Sequence, residues 1–286
     1  MRRALGRVRA WGELVMFSHS VFSFSFLALS AFAAADGLPP LRSSILLCVA
    51  FLGGRTAANA FNRVADRRYD AANERTAGRH IPAGEVSATE ALILAGVSFA
   101  ALAAAAALLR PLCAALLPVA GLLILGYSYT KRFTALCHLV LGVACACAPA
   151  GAAIALRGAL DRSTLVLCAA NALWVMGFDV VYAIQDIEFD RAAGLRSIPA
   201  RFGAAASLAI SELCHAAAAL ALVLFGFLEG LGVAYFVGVA LIVILLAWAA
   251  VASRRDYRKH VLFASYSANQ VVSLVLLAAT FAEFLP

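Results

Sequence analysis

"NRVADRRYDAANERTAGRHIPAG", residues 62–84, gathers two Asp, one Glu and five Arg in a chain of 286 residues that is 64% hydrophobic and 14% charged. The stretch closes an apolar run that begins near Arg42 and is long enough to cross a bilayer, which takes roughly 20 residues. Mean hydropathy is +0.90, and the apolar content lies far above the roughly 45–50% of soluble domains. The chain therefore reads as an integral membrane protein. Further runs of spanning length begin near Leu14, Ala88, Leu112, Leu136, Thr164, Ala204, Leu231 and Val261, which makes an all-α bundle of about nine transmembrane helices. No Ser/Pro-rich linker or shift in composition divides it, so residues 1–286 are expected to form one intramembrane domain.

Basic residues orient the bundle. With the N-terminus cytoplasmic, that face receives Arg2, Arg3, Arg7 and Arg9, the arginines of the quoted stretch, Lys131 and Arg132, Arg191, Arg196 and Arg201, and the cluster from Arg254 to Lys259. The opposite face receives only Arg42, Arg110, Arg157 and Arg162, and Arg55 lies within a span. The positive-inside rule selects this topology. The net charge of +7 reflects the same bias and anionic lipid headgroups, and makes no case for nucleic acid. The basic start and the "AFAAAD" near Asp36 suggest a cleavable leader, but the segment between them carries Ser18, His19, Ser20, Ser23 and Ser25. It also exceeds the usual apolar length of a signal peptide, so it is expected to stay as a span. The seven Cys contain no C-x-x-C pair and read as small packing residues. His19, His80, His138, His215 and His260 show no zinc spacing and read as structural.

Asn62, Asp66 and Asp70 recur every four residues, which on a helix stacks them on one face with a drift of about 40° per step. A second ladder stands in "GFDVVYAIQDIEFDRAAGLRSIP", where Asp179, Tyr182, Asp186 and Asp190 share a face and Glu188 points elsewhere. Both ladders end a span on the cytoplasmic side and run into similar loops, "RHIP" at Arg79 to Pro82 and "RSIP" at Arg196 to Pro199. The echo suggests a duplicated helix-plus-loop unit. A charge at the bilayer centre costs about 2.5–3.5 kcal/mol, so Asp179 needs something to offset it. Facing carboxylates repel unless a cation comes between them. Magnesium takes one or two carboxylates and completes its octahedron with water and substrate phosphate, so the ladders read as an open Mg2+ site for a diphosphate. Arg67, Arg68, Lys131 and Arg132 would neutralise phosphate oxygens that the metal leaves exposed. No Gly-rich phosphate loop is present, which argues against nucleotide hydrolysis.

The pattern Asn62-x-x-x-Asp66-x-x-x-Asp70 resembles the first aspartate-rich motif of the UbiA superfamily of intramembrane prenyltransferases. "YAIQDIEFD" resembles the second, and "GYSYTKRFTALCHLVLG", residues 126–142, is similar to the loop between the family's fourth and fifth helices. The resemblance implies that Asn62, Asp66, Asp70, Asp186 and Asp190 hold Mg2+ and a polyprenyl diphosphate, with Arg67, Lys131 and Arg132 gripping the diphosphate. It is closest to the bacterial 4-hydroxybenzoate branch, in which a prenyl chain passes to a small aromatic acid such as 4-hydroxybenzoate or a dihydroxynaphthoate for ubiquinone or menaquinone synthesis. The prenyl tail needs an apolar tunnel, which helices bundled around a central cavity supply. Tyr182, with Tyr127 and Tyr129, offers a ring face to an allylic cation or serves as an interfacial anchor. Arg55 is a candidate for the acceptor's acid group, or else it pairs with Asp179 or reaches to the interface.

One departure stands out. The family's first motif usually has Asp after Asn, and this chain has Arg63. Either Arg63 neutralises the diphosphate or it snorkels to the headgroups, since the following position points away from the face of Asn62. Two other functions compete. A UbiA-type enzyme with a haem or chlorophyll precursor as acceptor would share every motif. A cation transporter would need acids continuing to the outer face, where only Asp36, Asp161, Glu229 and Glu283 stand.

Overall fold

The computed structural model describes residues 11–14, 21–255, 259, 261 and 263–285, and among them no strand occurs. The orientation signals Arg2, Arg3, Arg7, Arg9 and Arg258, together with Ser18, His19, Ser20 and His260, lie outside the described residues. The helices with described bounds follow in order: α1 (Val21–Ala35), α2 (Leu41–Ala65), α3 (Arg67–Ala72), α4 (Ala88–Leu109), α5 (Pro111–Thr130) and α6 (Cys137–Arg157), then α7 (Arg162–Ala183), α8 (Ile187–Ala192), α9 (Ile198–Glu229), α10 (Val233–Arg255) and α11 (Ala268–Phe284). Seven helices among the described residues are long and apolar enough to cross a membrane, one of them continuing from α7 through Ala192. The expected first and last spans appear as the shorter apolar helices α1 and α11, the latter entered through a π-helical turn at Phe263–Ser267.

The chain forms two compact units, one built on Ile45–Tyr129 and the other on Val21–Ser44 with Thr130–Pro286. In the first, α2 meets α4 so closely that a Cβ on Gly53 would stand 2.6 Å from the Ser98 carbonyl oxygen. Lipid tails are as apolar as leucine, so helices in a membrane gain little by hiding apolar surface from one another and associate instead through close backbone packing. Ala60, Val64, Val86, Ala91 and Ala95 make the small buried core of this unit. Ser87 and Glu90 form a capping box that starts α4, satisfying two amides that the helix leaves open.

The second unit is centred on α7. Of its most apolar window 56% is buried, against 17% for α5 in the first unit. Phe26, Leu29, Trp174, Phe225, Tyr235 and Leu276 form its core. A Cβ on Gly142 would stand 2.2 Å from the Ala172 carbonyl, so only glycine lets α6 and α7 come this close. Pro149 inside α6 has no amide to give to the Cys145 carbonyl, and Asn171 Nδ2 of α7 donates to that oxygen instead at 3.4 Å. Gly203, with φ of 78°, kinks α9 near its start. Only glycine adopts that backbone without strain. All seven cysteines are unpaired, consistent with small packing residues.

Candidate active site

Each aspartate ladder was expected on an uninterrupted helix face, and the structure breaks both helices at the same point. α2 stops at Ala65, and Asp66, with φ −94° and ψ 4°, caps the six-residue α3. α7 stops at Ala183, a single 3-10 turn spans Ile184–Asp186, and Asp186, with φ −104° and ψ 8°, caps the six-residue α8. Both capping aspartates sit in the bridge region between helix and strand, a conformation frequent at active sites. The four-residue spacing survives the first break, because Asp66 N donates to Asn62 O at 2.9 Å and Asp70 N to Asp66 O at 2.8 Å. The duplication suggested by the loops thus extends to backbone geometry.

The last aspartate of each ladder is buried and tied to the loop that follows. Asp70 is 6% exposed and Asp190 0%. Oδ1 of Asp70 accepts from Arg79 Nη1 at 2.6 Å, and its carbonyl accepts from Thr76 Oγ1 at 3.1 Å. Oδ2 of Asp190 accepts from Ser197 Oγ at 2.8 Å, and its carbonyl accepts from Leu195 N at 2.8 Å. The second oxygen of each carboxylate is buried and takes no hydrogen bond. Cations nevertheless stand near both. Arg63 Nη1 lies 3.7 Å from Asp70 Oδ2, and Lys131 Nζ lies 2.8 Å from Asp190 Oδ1, a close ion pair. Burial lowers the affinity of Lys131 for its proton, but the carboxylates of Asp190 and Asp186 more than reverse this, so its pKa is raised and it stays an ammonium at neutral pH. Arg196 fastens the Lys131 segment to the second loop, donating its amide to Lys131 O at 2.7 Å and Nη1 to Phe133 O at 2.9 Å.

Arg63 is not a snorkelling side chain. It is 14% exposed and reaches Asp70. The reason is the helical drift: residues seven apart share a face, so the ladder rotates toward the line of Arg63 by the time it reaches Asp70. Asn62 Nδ2 donates to Asp66 Oδ2 at 3.0 Å and to Ser128 Oγ at 3.4 Å. Arg67 is exposed and turns back to donate to Val64 O at 3.0 Å, closing the end of α2. Arg55 and Arg132 are half-buried, and the Tyr182 ring stands edge-on to Tyr266 with centroids 5.3 Å apart. Glu188 is exposed, off the Asp face as expected.

The partner of Asp179 is a histidine that sequence reasoning set aside. His138 Nδ1 lies 2.7 Å from Asp179 Oδ2. Arg79, Ser128 and Ser197 were also missed as parts of the site. The echo of "RHIP" and "RSIP" held the signal for two of them, because each loop sends one polar side chain back to the preceding aspartate. At the other end of the second unit, three of the four acids that a transporter would use, Asp161, Glu229 and Glu283, are engaged in packing. Arg157 clamps Asp161 at 2.5 Å and Glu229 at 2.6 Å, and the Glu283 carboxylate accepts from the amides of Gly232 and Tyr235.

Magnesium fits these donors. They are hard oxygens, and the second buried oxygen of Asp70 and of Asp190 already faces positive charge, Arg63 at 3.7 Å and Lys131 at 2.8 Å. Among the described residues no three of His, Cys, Asp or Glu gather closely enough to cage a metal alone, so a cation here needs further oxygens, and substrate phosphate would supply them.

A family model described as "UbiA prenyltransferase family" matches residues 22–277. The chain is 33% identical over 252 residues to a protein of Neisseria meningitidis serogroup B named 4-hydroxybenzoate octaprenyltransferase, covering 87% of this chain and 84% of that one. It is 32% identical over 259 residues to a protein of the same name from Pseudomonas aeruginosa, covering 89% and 86%. Among solved structures, a UbiA homologue from Aeropyrum pernix K1 in its apo form superposes with a TM-score of 0.85 at 33% identity, covering 93% of this chain and 98% of that one. A homologue from Archaeoglobus fulgidus bound to GPP and Mg2+ shares the fold, with a TM-score of 0.70 at 18% identity over 96% of this chain and 98% of that one. With three motifs in order, two matching helix breaks and a match that spans most of its length, this integral membrane chain belongs to the UbiA prenyltransferase family.

Proposed function

We propose that this protein transfers a polyprenyl chain from its diphosphate to the ring of 4-hydroxybenzoate or a similar small aromatic acid, for ubiquinone or menaquinone synthesis, at the cytoplasmic side of a bacterial inner membrane. The observation that carries the reading is the repeated buried carboxylate with one oxygen tied to its loop and the other facing a cationic side chain, at Asp70 and at Asp190. The names of relatives matched over most of their length support the acceptor.

Asn62, Asp66 and Asp70 form one set of magnesium ligands, and Asp186 and Asp190 another. Magnesium, when bound, would stabilise the negative charge that develops on a departing diphosphate. Lys131, held as an ammonium, and Arg132 neutralise diphosphate oxygens in the second unit, and Arg67 swings from the Val64 carbonyl to do so in the first. The allylic C–O bond breaks with its electron pair going to diphosphate. The ring carbon beside the acceptor hydroxyl forms the new C–C bond, and the ring then loses its proton to solvent. Tyr182 offers its ring face to the allylic carbon, and Arg55 pairs with the acceptor carboxylate.

The test incubates purified protein in lipid vesicles with magnesium, a polyprenyl diphosphate and separate acceptors: 4-hydroxybenzoate, a dihydroxynaphthoate and a haem precursor. Mass spectrometry should find prenylated 4-hydroxybenzoate or prenylated naphthoate. Product from the haem precursor alone, or full turnover in excess chelator, overturns the reading.

A further inference from the structure

His138 stands near the start of α6, and Asp179 lies on α7 seven residues before Asp186, so about two turns deeper into the span. The His138 side chain is 3% exposed and that of Asp179 25%. The amide of Ile198, one of those left open at the start of α9, donates to His138 Nε2 at 3.4 Å. Nδ1 donates to Asp179 Oδ2 at 2.7 Å, so the ring is fixed at both nitrogens and orients the carboxylate.

Among the described residues Asp179 Oδ1 has no partner, and the side chain is 25% exposed. An ionised oxygen within an apolar span favours any neutral donor that reaches it, and a phenolic hydroxyl is the strongest such donor in the proposed acceptor. We propose that His138 is a positioning residue for acceptor recognition, clamping Asp179 so that Oδ1 accepts a hydrogen bond from the acceptor's hydroxyl. This rests on the function proposed above. A hydroxyl bonded to a carboxylate pushes electron density into the ring and makes the adjacent carbon a better nucleophile. His138 acts on that carbon only through Asp179.

The test measures binding of 4-hydroxybenzoate and of benzoate, which lacks the hydroxyl, by calorimetry on the full chain without donor or metal. The wild type should prefer 4-hydroxybenzoate by about tenfold or more, the scale of a hydrogen bond to a charged group. His138→Leu should lose that preference, and His138→Asn, which keeps an N–H near the Nδ1 position, should restore most of it. The preference is a ratio within one sample, so partial misfolding does not shift it. Asp179→Asn serves as a second variant should His138→Leu not fold, and it too should lose the preference. In turnover, His138→Leu should raise KM for the acceptor about tenfold and change KM for the donor less than about twofold. A preference unchanged in His138→Leu or in Asp179→Asn overturns the inference, as does a wild type without one. If the wild type also prenylates no aromatic acid, the function itself fails, and that result is read separately from binding.

Discussion

The helix break at Asp66 and the break at Asp186 share a backbone and differ in what neutralises them. Both place a capping aspartate in the bridge region, followed by a six-residue helix whose fourth residue is a buried aspartate. In the first, two arginines attend that aspartate, and Arg79 is 27% exposed. In the second, Asp190 is wholly buried, held by Lys131 and the Ser197 hydroxyl. Repeating the break preserves an aspartate at the cap and an aspartate one turn on. Counter-charges are free to differ, because any cation or hydroxyl on a neighbouring loop satisfies a buried carboxylate. The more deeply buried copy therefore depends more on its own partners.

Alanine at either cap should have the largest effect and bring the two breaks into line. Asp66→Ala and Asp186→Ala should each lower prenyl transfer by at least about 10²–10³-fold, the scale of losing one preorganised charge contact, while size-exclusion profiles stay those of wild type. Glu188→Ala, on an exposed position of α8, should remain within about threefold. A Glu188→Ala variant as damaged as Asp186→Ala would break the comparison, because position on the helix would then not matter.

Stability should separate the two copies. Asp190→Asn strips Lys131 of its partner, and breaking a buried pair costs about 3–5 kcal/mol. The real loss should sit at the low end, because Lys131 is 33% exposed. Asp70→Asn should lose less, about 1–3 kcal/mol, since the Asp70 side chain is 8% exposed against 0% for Asp190. Thermal melting in detergent measures both, and equal losses would show that burial does not rank the pair.

The smallest effect sharpens the role of Arg63. Arg63→Ala should raise KM for the prenyl diphosphate about tenfold, the weaker end of a charge-assisted contact, and leave acceptor KM unchanged. Arg63→Asp should be worse than alanine, because it sets a second carboxylate beside Asp70 Oδ2. Recovery of wild-type kinetics in Arg63→Asp would mean that the family's usual aspartate still fits here. Steady-state kinetics with varied donor decide among these outcomes.

Much of the site was legible because it is local. The spacing of Asn62, Asp66 and Asp70 is a property of one helix, and four-residue periodicity survives a bridge-region kink that keeps the hydrogen bonds. The exposure of Glu188 follows from the same periodicity. Arg63 was half legible: the drift of the ladder toward it was computable, yet only its length and the placement of Asp70 bring the two within 3.7 Å. His138 was illegible, because it stands 41 positions before Asp179 and nothing along that stretch signals that α6 and α7 meet there.

Sequence by itself determined that this chain enters a membrane, that it is helical and which carboxylates line up at the ends of its spans. Each of these follows from hydropathy and helical periodicity, which depend only on neighbours along the chain. Only the tertiary structure decided that both helices break at their capping aspartates, that Arg79, Ser197 and Lys131 hold the buried ones, and that His138 rather than an arginine meets Asp179. A buried charge takes whichever donor packing brings within about 3 Å, and packing is set where backbones approach closely, as at Gly142 against Ala172.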